Sequence, residues 1–341
     1  MAIISKIDYR VYKKYYKIVY FISIVLLAAV IVPGLGHSSG GATRWINLKF
    51  TTFQPSEIAK IALVIFYATY LTNNRDKMGN LWEGFFRPIL FLLPVLAILL
   101  GLQSHLSASV LIILVVSVMM IMAGSKLRYF LTFGGAAAVG GVGLLLILAK
   151  KFEFGAYRLA RLTAFTNPWA DPTGSGWQII QSLYAIGSGG LFGAGLGNST
   201  QKYLYLPVPQ NDFIFAVIAE ELGFVGCIFV IALFAVFVWR GTLIAMKAPD
   251  MFGSLLATGI TAVIGLQALI NIAVVTSSMP NTGMQLPFFS YGGTSLLILL
   301  CSVRNTAKYF ETNEENIKEV IYESNNCSCR YGRTYKSTDL Q

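Results

Sequence analysis

The stretch PVPQNDFIFAVIAEELGFVG, Pro207 to Gly226, sets three carboxylates at the start of a membrane-length apolar segment. An ionisable group in a bilayer needs a partner or a function. Asp212 stands at the mouth of the segment, where a carboxylate has two uses. It can cap the first helical turn, since Asp is favoured there and its charge suits the helix dipole. It can also take a proton from a substrate hydroxyl as a general base. The residue types leave both open. If helical, Glu220 and Glu221 lie about 12 and 13.5 Å further along, at 1.5 Å per residue. That is too deep for the atom Asp212 would touch, so a Lys or Arg of a neighbouring span is their expected partner.

Other charged residues fall near the same level once the apolar spans are counted. Arg44 and Trp45 lie in a first loop, and Glu57 and Lys60 open the next span. The last two are three apart, so they share a helix face and can pair. His105 sits in a tight hairpin, and Arg158, Arg161 and Lys202 lie in a long loop. One acid among several cations around a cleft suits an anionic, lipid-linked substrate. Each also has a plainer reading: Glu57–Lys60 as a structural pair, Arg44 as a lipid-phosphate contact, His105 as a hairpin residue.

The elements that must position these residues are spans. Of 341 residues, 55% are hydrophobic and 12% charged, whereas a soluble domain carries roughly 25% charge. Pro88–Ser125 and Met251–Val303 contain no Asp, Glu, Lys or Arg. Each is long enough for two spans of about 20 residues, broken by QSHLS and by SSMPNTGMQ. The expected fold is an all-α polytopic membrane protein with about eight transmembrane helices: Ile18–Val32, Ile58–Thr72, Pro88–Leu102, Leu106–Ala123, Tyr129–Ala149, Phe213–Trp239, Met251–Val275 and Pro287–Val303. Residues 1–17 read as a basic, aromatic interfacial segment, 18–310 as the transmembrane domain and 311–341 as a polar tail.

Basic residues alternate by side in the short connections. Lys13, Lys14 and Lys17, then Arg75, Lys77 and Arg87, then Lys126 and Arg128, then Arg240 and Lys247, then Arg304 and Lys308 fall on one side. The positive-inside rule makes that side cytoplasmic, with both termini inside. The loop of about 150–211 is then extracytoplasmic. The net charge of +10 follows from this bias and does not call for nucleic acid. In the long loop, NPWADPTGSGWQ reads as turn-rich. QSLYAIGSGGLFGAGLGN reads as a helix or re-entrant segment whose glycines serve close packing. The Cys327–Cys329 pair lacks the second ligand pair of a zinc site.

Four long motifs then carry a resemblance: GATRWINLKFTTFQPSEIAK, NPWADPTGSGWQIIQSLYAIGSGGLFGAGLG, LPVPQNDFIFAVIAEELGFVG and NTGMQLPFFSYGGTSLL. In this order they resemble the SEDS family of shape, elongation, division and sporulation proteins. The P-Q-N-D form is nearer its FtsW/SpoVE branch than its RodA branch. The resemblance covers nearly the whole chain up to Lys308. It implies a bacterial cytoplasmic-membrane glycosyltransferase that polymerises lipid II outside the membrane. The implied partners are a class B penicillin-binding protein that crosslinks the product and divisome or sporulation septum proteins. The family's essential acid falls on Asp212. Arg44, Trp45, Glu57, Lys60, Arg158, Arg161, Gln178, Gln181 and Lys202 are the candidate substrate contacts. A divalent cation, Mg or Mn, is a candidate cofactor, although no metal-ligand cluster is visible.

Two features depart from the family pattern. The chain reads as lacking the first two family spans, and His105 stands where the family commonly has an aspartate. A lipid II flippase, or a non-catalytic scaffold for a penicillin-binding protein, are the alternatives to the polymerase.

Overall fold

The computed structural model describes residues 9–32, 36–39, 42–47, 52–136, 140, 143, 165–172, 174, 176–203 and 210–304. Arg158, Arg161 and the polar tail lie outside the described residues.

The first helix, α1 (Tyr9–Ala29), begins well before Ile18. Tyr12, Tyr16 and Tyr20 recur every four residues, so they share one face. Tyr16 and Tyr20 set their rings 5.7 and 4.5 Å from that of Phe66 on the next helix, while Lys13, Lys14 and Lys17 stay exposed. The basic, aromatic stretch from Tyr9 is thus helical and continuous with the apolar residues that follow it.

The following connection forms a small antiparallel sheet, which the sequence reading did not anticipate. It comprises β1 (Gly36–Ser39), β2 (Ala42–Asn47) and β3 (Thr52–Phe53), in the order β1-β2-β3. Trp45 pairs with His37, and Ile46 with Phe53. The register passes from Trp45 to Thr43 and leaves Arg44 in a bulge, which re-aims a side chain locally. Ile46 is buried, and Arg44 is placed by its bond to the Ser104 carbonyl.

α2 (Pro55–Asn73) has Pro in its first turn and is buried on nearly every side from Pro55 to Leu71. Pro supplies no N–H, and that position needs none. The next helix, α3 (Trp82–Leu102), opens and closes in wide π-helical turns. Pro88 and Pro94 remove two donors from its ladder. A tight turn through Ser104, in the left-handed region at φ 49°, leads to α4 (Leu106–Met122). Only the start of the fifth expected span is described, as α5 (Leu127–Tyr129) and the turns after it.

Beyond it lie α6 (Trp177–Gly189), α7 (Ile214–Met246), α8 (Met251–Val275) and the shorter apolar α9 (Gly293–Arg304). By length and composition α3, α7 and α8 can each cross a membrane. The most apolar window of α8 is 67% buried and that of α7 only 22%. α8 is therefore central, packed on α7, α4 and α2. α7 is peripheral and presents Phe224, Ile228, Phe229 and Trp239 outward, an apolar surface suited to lipid. The chain is a polytopic α-helical membrane protein.

α7 is broken at Gly223, where φ is 67° and ψ −165°. The glycine-rich segment after α6 lies against the break. Ala194 and Gly195 donate to the Glu220 and Glu221 carbonyls at 2.9 and 3.0 Å. Phe224 and Val225 donate in turn to the Gly190 and Leu191 carbonyls at 2.9 and 3.2 Å. Backbone groups freed by a broken helix must find such partners inside a membrane. A Cβ on Gly193 would stand 2.2 Å from the Glu221 carbonyl oxygen. Gly189 and Gly193 thus serve close packing, as expected, whereas Gly190 and Gly197 face open space and are needed for their positive φ of 54° and 85°.

Candidate active site

The N-termini of α2, α4 and α7 meet at one end of the bundle, joined by the loop between α8 and α9. Asp212 stands just before α7. Phe213, not Asp212, occupies the N-cap position, and no side chain caps the helix. The capping alternative for Asp212 therefore falls away.

Instead the Asp212 turn is held from three sides. Asn271 of α8 donates from Nδ2 to the Asp212 carbonyl at 2.8 Å. Ser290 donates from Oγ to the Asn211 carbonyl. Tyr291 donates its backbone N–H to the Gln210 carbonyl at 2.9 Å. The polar break between α8 and α9, in sequence merely a gap between spans, thus forms the cradle of the acid. Within it Gly283 has φ +61°, and a Cβ there would lie 3.2 Å from Asp212 Oδ2. Burial raises the Asp212 carboxyl above the ordinary carboxylate range, and the Arg44 guanidinium pulls it partly back.

Arg44 reaches this group from β2 and donates from Nη2 to the Ser104 carbonyl at 2.9 Å. Trp45, beside it, is partly buried. His105 follows Ser104, is 5% exposed and forms the N-cap of α4. Its Nε2 lies 3.0 Å from the Gln54 amide at the head of α2. Burial first, then the charges of Arg44 and Lys60, push this imidazole down to about 3. His105 is a neutral hairpin residue at working pH, in a positive local potential.

Lys60 and Glu57 pair as their spacing predicts, at 2.8 Å, and both are buried. Lys60 also donates to Gln267 Oε1 at 2.8 Å, and Gln267 Nε2 donates to the Gln285 carbonyl at 3.0 Å. The buried cation of α2 is thus linked through α8 to the loop that cradles Asp212. Ser107 of α4 joins the same loop through the Thr282 carbonyl. On α6, Gln178 accepts from Asn281 at 2.6 Å, while Gln181 is buried.

Lys202 is placed elsewhere. It pairs with Glu221 at 2.7 Å and donates to the Gly197 carbonyl at 2.7 Å. Glu221 is nine residues past Asp212, about 13 Å along a helix axis. The expected partners of the two deeper acids need correction, because residues 199–202 of the long loop, not a neighbouring span, supply them. Glu220, 2% exposed, accepts from Ser199 Oγ, from Thr200 N and Oγ1 at 2.9 and 2.8 Å, and from Gln201 N at 3.3 Å. One carboxylate can accept several bonds, so it closes that turn without a cation.

Sequence reasoning passed over Gln267, Asn271, Asn281, Gln285 and Ser290. The legible signal was Gln267 and Asn271 themselves, two carboxamides one helical turn apart on an otherwise apolar helix.

Comparison with known proteins meets this geometry. The FtsW/RodA/SpoVE family, described as cell cycle protein, matches residues 1–306. The stage V sporulation protein E of Bacillus subtilis (strain 168) is 42% identical over 303 residues, 89% of this chain and 81% of that protein. A probable peptidoglycan glycosyltransferase FtsW of Geobacter sp. (strain M18) is 44% identical over 303 residues, 89% of this chain and 80% of its own. A solved structure described as "Structural coordination of polymerization and crosslinking by a peptidoglycan synthase complex" matches with TM-score 0.72 and 29% identity, covering 91% of this chain and 84% of that one. The crystal structure of the Thermus thermophilus rod shape determining protein RodA matches with TM-score 0.64 and 27% identity, over 91% and 82% of the two chains. This chain belongs to the FtsW/RodA/SpoVE family.

Proposed function

We propose that this chain is a peptidoglycan glycosyltransferase that polymerises lipid II at the extracytoplasmic face, with Asp212 as general base. One observation carries the reading. The main-chain turn at Asp212 is fixed from three sides by a polar loop and a buried amide, and it presents a partly buried carboxyl that caps no helix and feels the Arg44 charge. The names of the FtsW relatives and the topic of the synthase-complex structure support the same reaction class.

In this mechanism the acceptor sugar hydroxyl attacks the anomeric carbon of the lipid-linked donor. A new C–O bond forms, the bond to the lipid diphosphate breaks, and the hydroxyl proton passes to Asp212. Arg44 stabilises the negative charge that grows on the departing diphosphate. Lys60, neutralised by Glu57, braces the site through Gln267 to the loop that cradles Asp212. His105, kept neutral, adds no charge but fixes the turn that anchors Arg44. Arg158, Arg161, Trp45, Gln178, Gln181 and Glu57 are proposed to line or support the cleft. Lys202, bound to Glu221, supports the loop.

Among the described residues no three His, Cys, Asp or Glu side chains gather as a metal site. A Mg or Mn ion keeps most of its waters and takes one or two carboxylates plus phosphate oxygens. With Asp212 serving as the base, the described residues supply no carboxylate set for it, and the substrate diphosphate and water would have to hold it. Such an ion would supply charge neutralisation at the diphosphate.

The working partner is a class B penicillin-binding protein in a divisome or sporulation septum assembly, and both chain termini are cytoplasmic. A flippase would need ionisable groups lining a path through the bundle. Here Glu57–Lys60 and Glu221–Lys202 are paired in place and Glu220 is enclosed by a turn, which favours the enzyme.

The test is lipid II polymerisation by the full chain with its cognate penicillin-binding protein, whose transpeptidase is blocked by a β-lactam. Asp212→Ala should abolish glycan while the protein stays folded. The wild-type rate should fall as pH drops through the raised Asp212 pKa, because a base must be ionised to act.

A further inference from the structure

We infer that Asn271 is a positioning residue for this reaction, setting the place of the Asp212 carboxylate from the middle of the bundle. The inference rests on the reading of Asp212 as the base. Gln267 and Asn271 are 2% and 1% exposed, and residues four apart on a helix stand one above the other. Burying two carboxamides in an apolar helix is costly unless their bonds matter.

Their bonds join the site. From Nδ2, Asn271 donates to the carbonyls of Asp212 and Met284 at 2.8 and 2.5 Å. One turn away, Gln267 ties Lys60 to the Gln285 carbonyl. Two side chains of one rigid helix therefore fix the acid, the loop that approaches its carboxylate, and the buried cation of α2.

Asn271 Oδ1 is buried and accepts from no described group. A position selected for packing alone would avoid a half-satisfied amide, because an unmet buried polar atom costs free energy. The donor side of this amide is what the site uses. The bonded atom is the main-chain carbonyl of Asp212, so loss of the bond lets the whole turn shift and moves the carboxylate with it. A misplacement of about 1 Å at a reacting group can cost about 100-fold in rate.

The experiment measures kcat and KM for lipid II polymerisation, using the full chain with its transpeptidase-blocked partner. It compares wild type, Asn271→Ala, Asn271→Gln, Asp212→Ala and the Asn271→Ala/Asp212→Ala double variant. Asn271→Ala should lose about 100-fold in kcat with little change in KM, since it touches no substrate. Asn271→Gln, which restores the amide one methylene further out, should recover part of that loss. The double variant should be no worse than Asp212→Ala, because residues acting as a unit are non-additive.

If Asp212→Ala is inactive but Asn271→Ala keeps wild-type kcat, the positioning role is overturned and the base survives. An effect confined to KM would overturn it too. If Asn271→Ala does not purify folded, Asn271→Leu, which keeps the volume and removes the donor, decides: wild-type kcat there would overturn the positioning role, and a kcat loss of about 100-fold would support it. If Asp212→Ala polymerises normally, the base reading fails and this inference falls with it.

Discussion

Replacing Lys60 by methionine strands Glu57 inside the bundle. The pair is separated by 2.8 Å with side chains only 5% and 9% exposed, so water cannot replace the lost cation. Removing one partner of a buried ion pair costs about 3–5 kcal/mol. Gln267 Oε1 loses its donor as well, which adds about 1 kcal/mol. The sum, about 4–6 kcal/mol, corresponds to a fall in Tm of about 8–12 °C at roughly 2 °C per kcal/mol for a chain of this size. The assay is thermal unfolding of the purified full chain in detergent. Glu57→Leu combined with Lys60→Met removes both charges, and an apolar replacement of a whole buried pair is often neutral. The double variant should therefore recover to within about 2 kcal/mol of wild type, the residue being the orphaned Gln267 oxygen. A double variant that loses as much as the single one would refute the reasoning, and so would a single variant that melts with wild type.

Two further outcomes follow from the burial of individual groups. His105 binds its proton more weakly folded than unfolded, so its contribution to stability is complete above pH ~6.5 and is lost as pH falls from there towards about 3. His105→Asn, which keeps an N-cap residue, should flatten the acid side of a Tm-against-pH series, and an unchanged slope would contradict the burial. Glu220→Gln leaves the Thr200 and Gln201 amides facing a weaker acceptor, at about 2 kcal/mol. Added protease should then cut the segment of residues 190–203 faster, and equal cleavage would show that the carboxylate does not hold that turn.

What could be read from the sequence was local. The apolar helices followed from hydropathy and the Glu57–Lys60 pair from a spacing of three, whereas an acid at the mouth of an apolar run left capping and catalysis equally open for Asp212, and only the family resemblance chose between them. The partners were not legible, because they arise between distant segments. Lys60 and Gln267 are 207 residues apart in sequence and 2.8 Å apart in space. Glu220 and Glu221 looked like acids in search of basic residues on other spans, because nothing in the pattern shows that α7 breaks at Gly223 and admits a loop. The sheet before α2 was missed because three short strands, one of two residues, leave little alternation to detect. Yet that sheet carries Arg44, which binds the Ser104 carbonyl and whose charge acts on Asp212. The early start of α1 was hidden by its lysines, whose charge masked the four-residue recurrence of tyrosine beside them.

The most direct test of the central claim is the polymerisation assay with wild type and Asp212→Ala side by side. Linear glycan from wild type and none from a folded Asp212→Ala is the predicted result. Glycan from both at equal rates would contradict a catalytic role for Asp212.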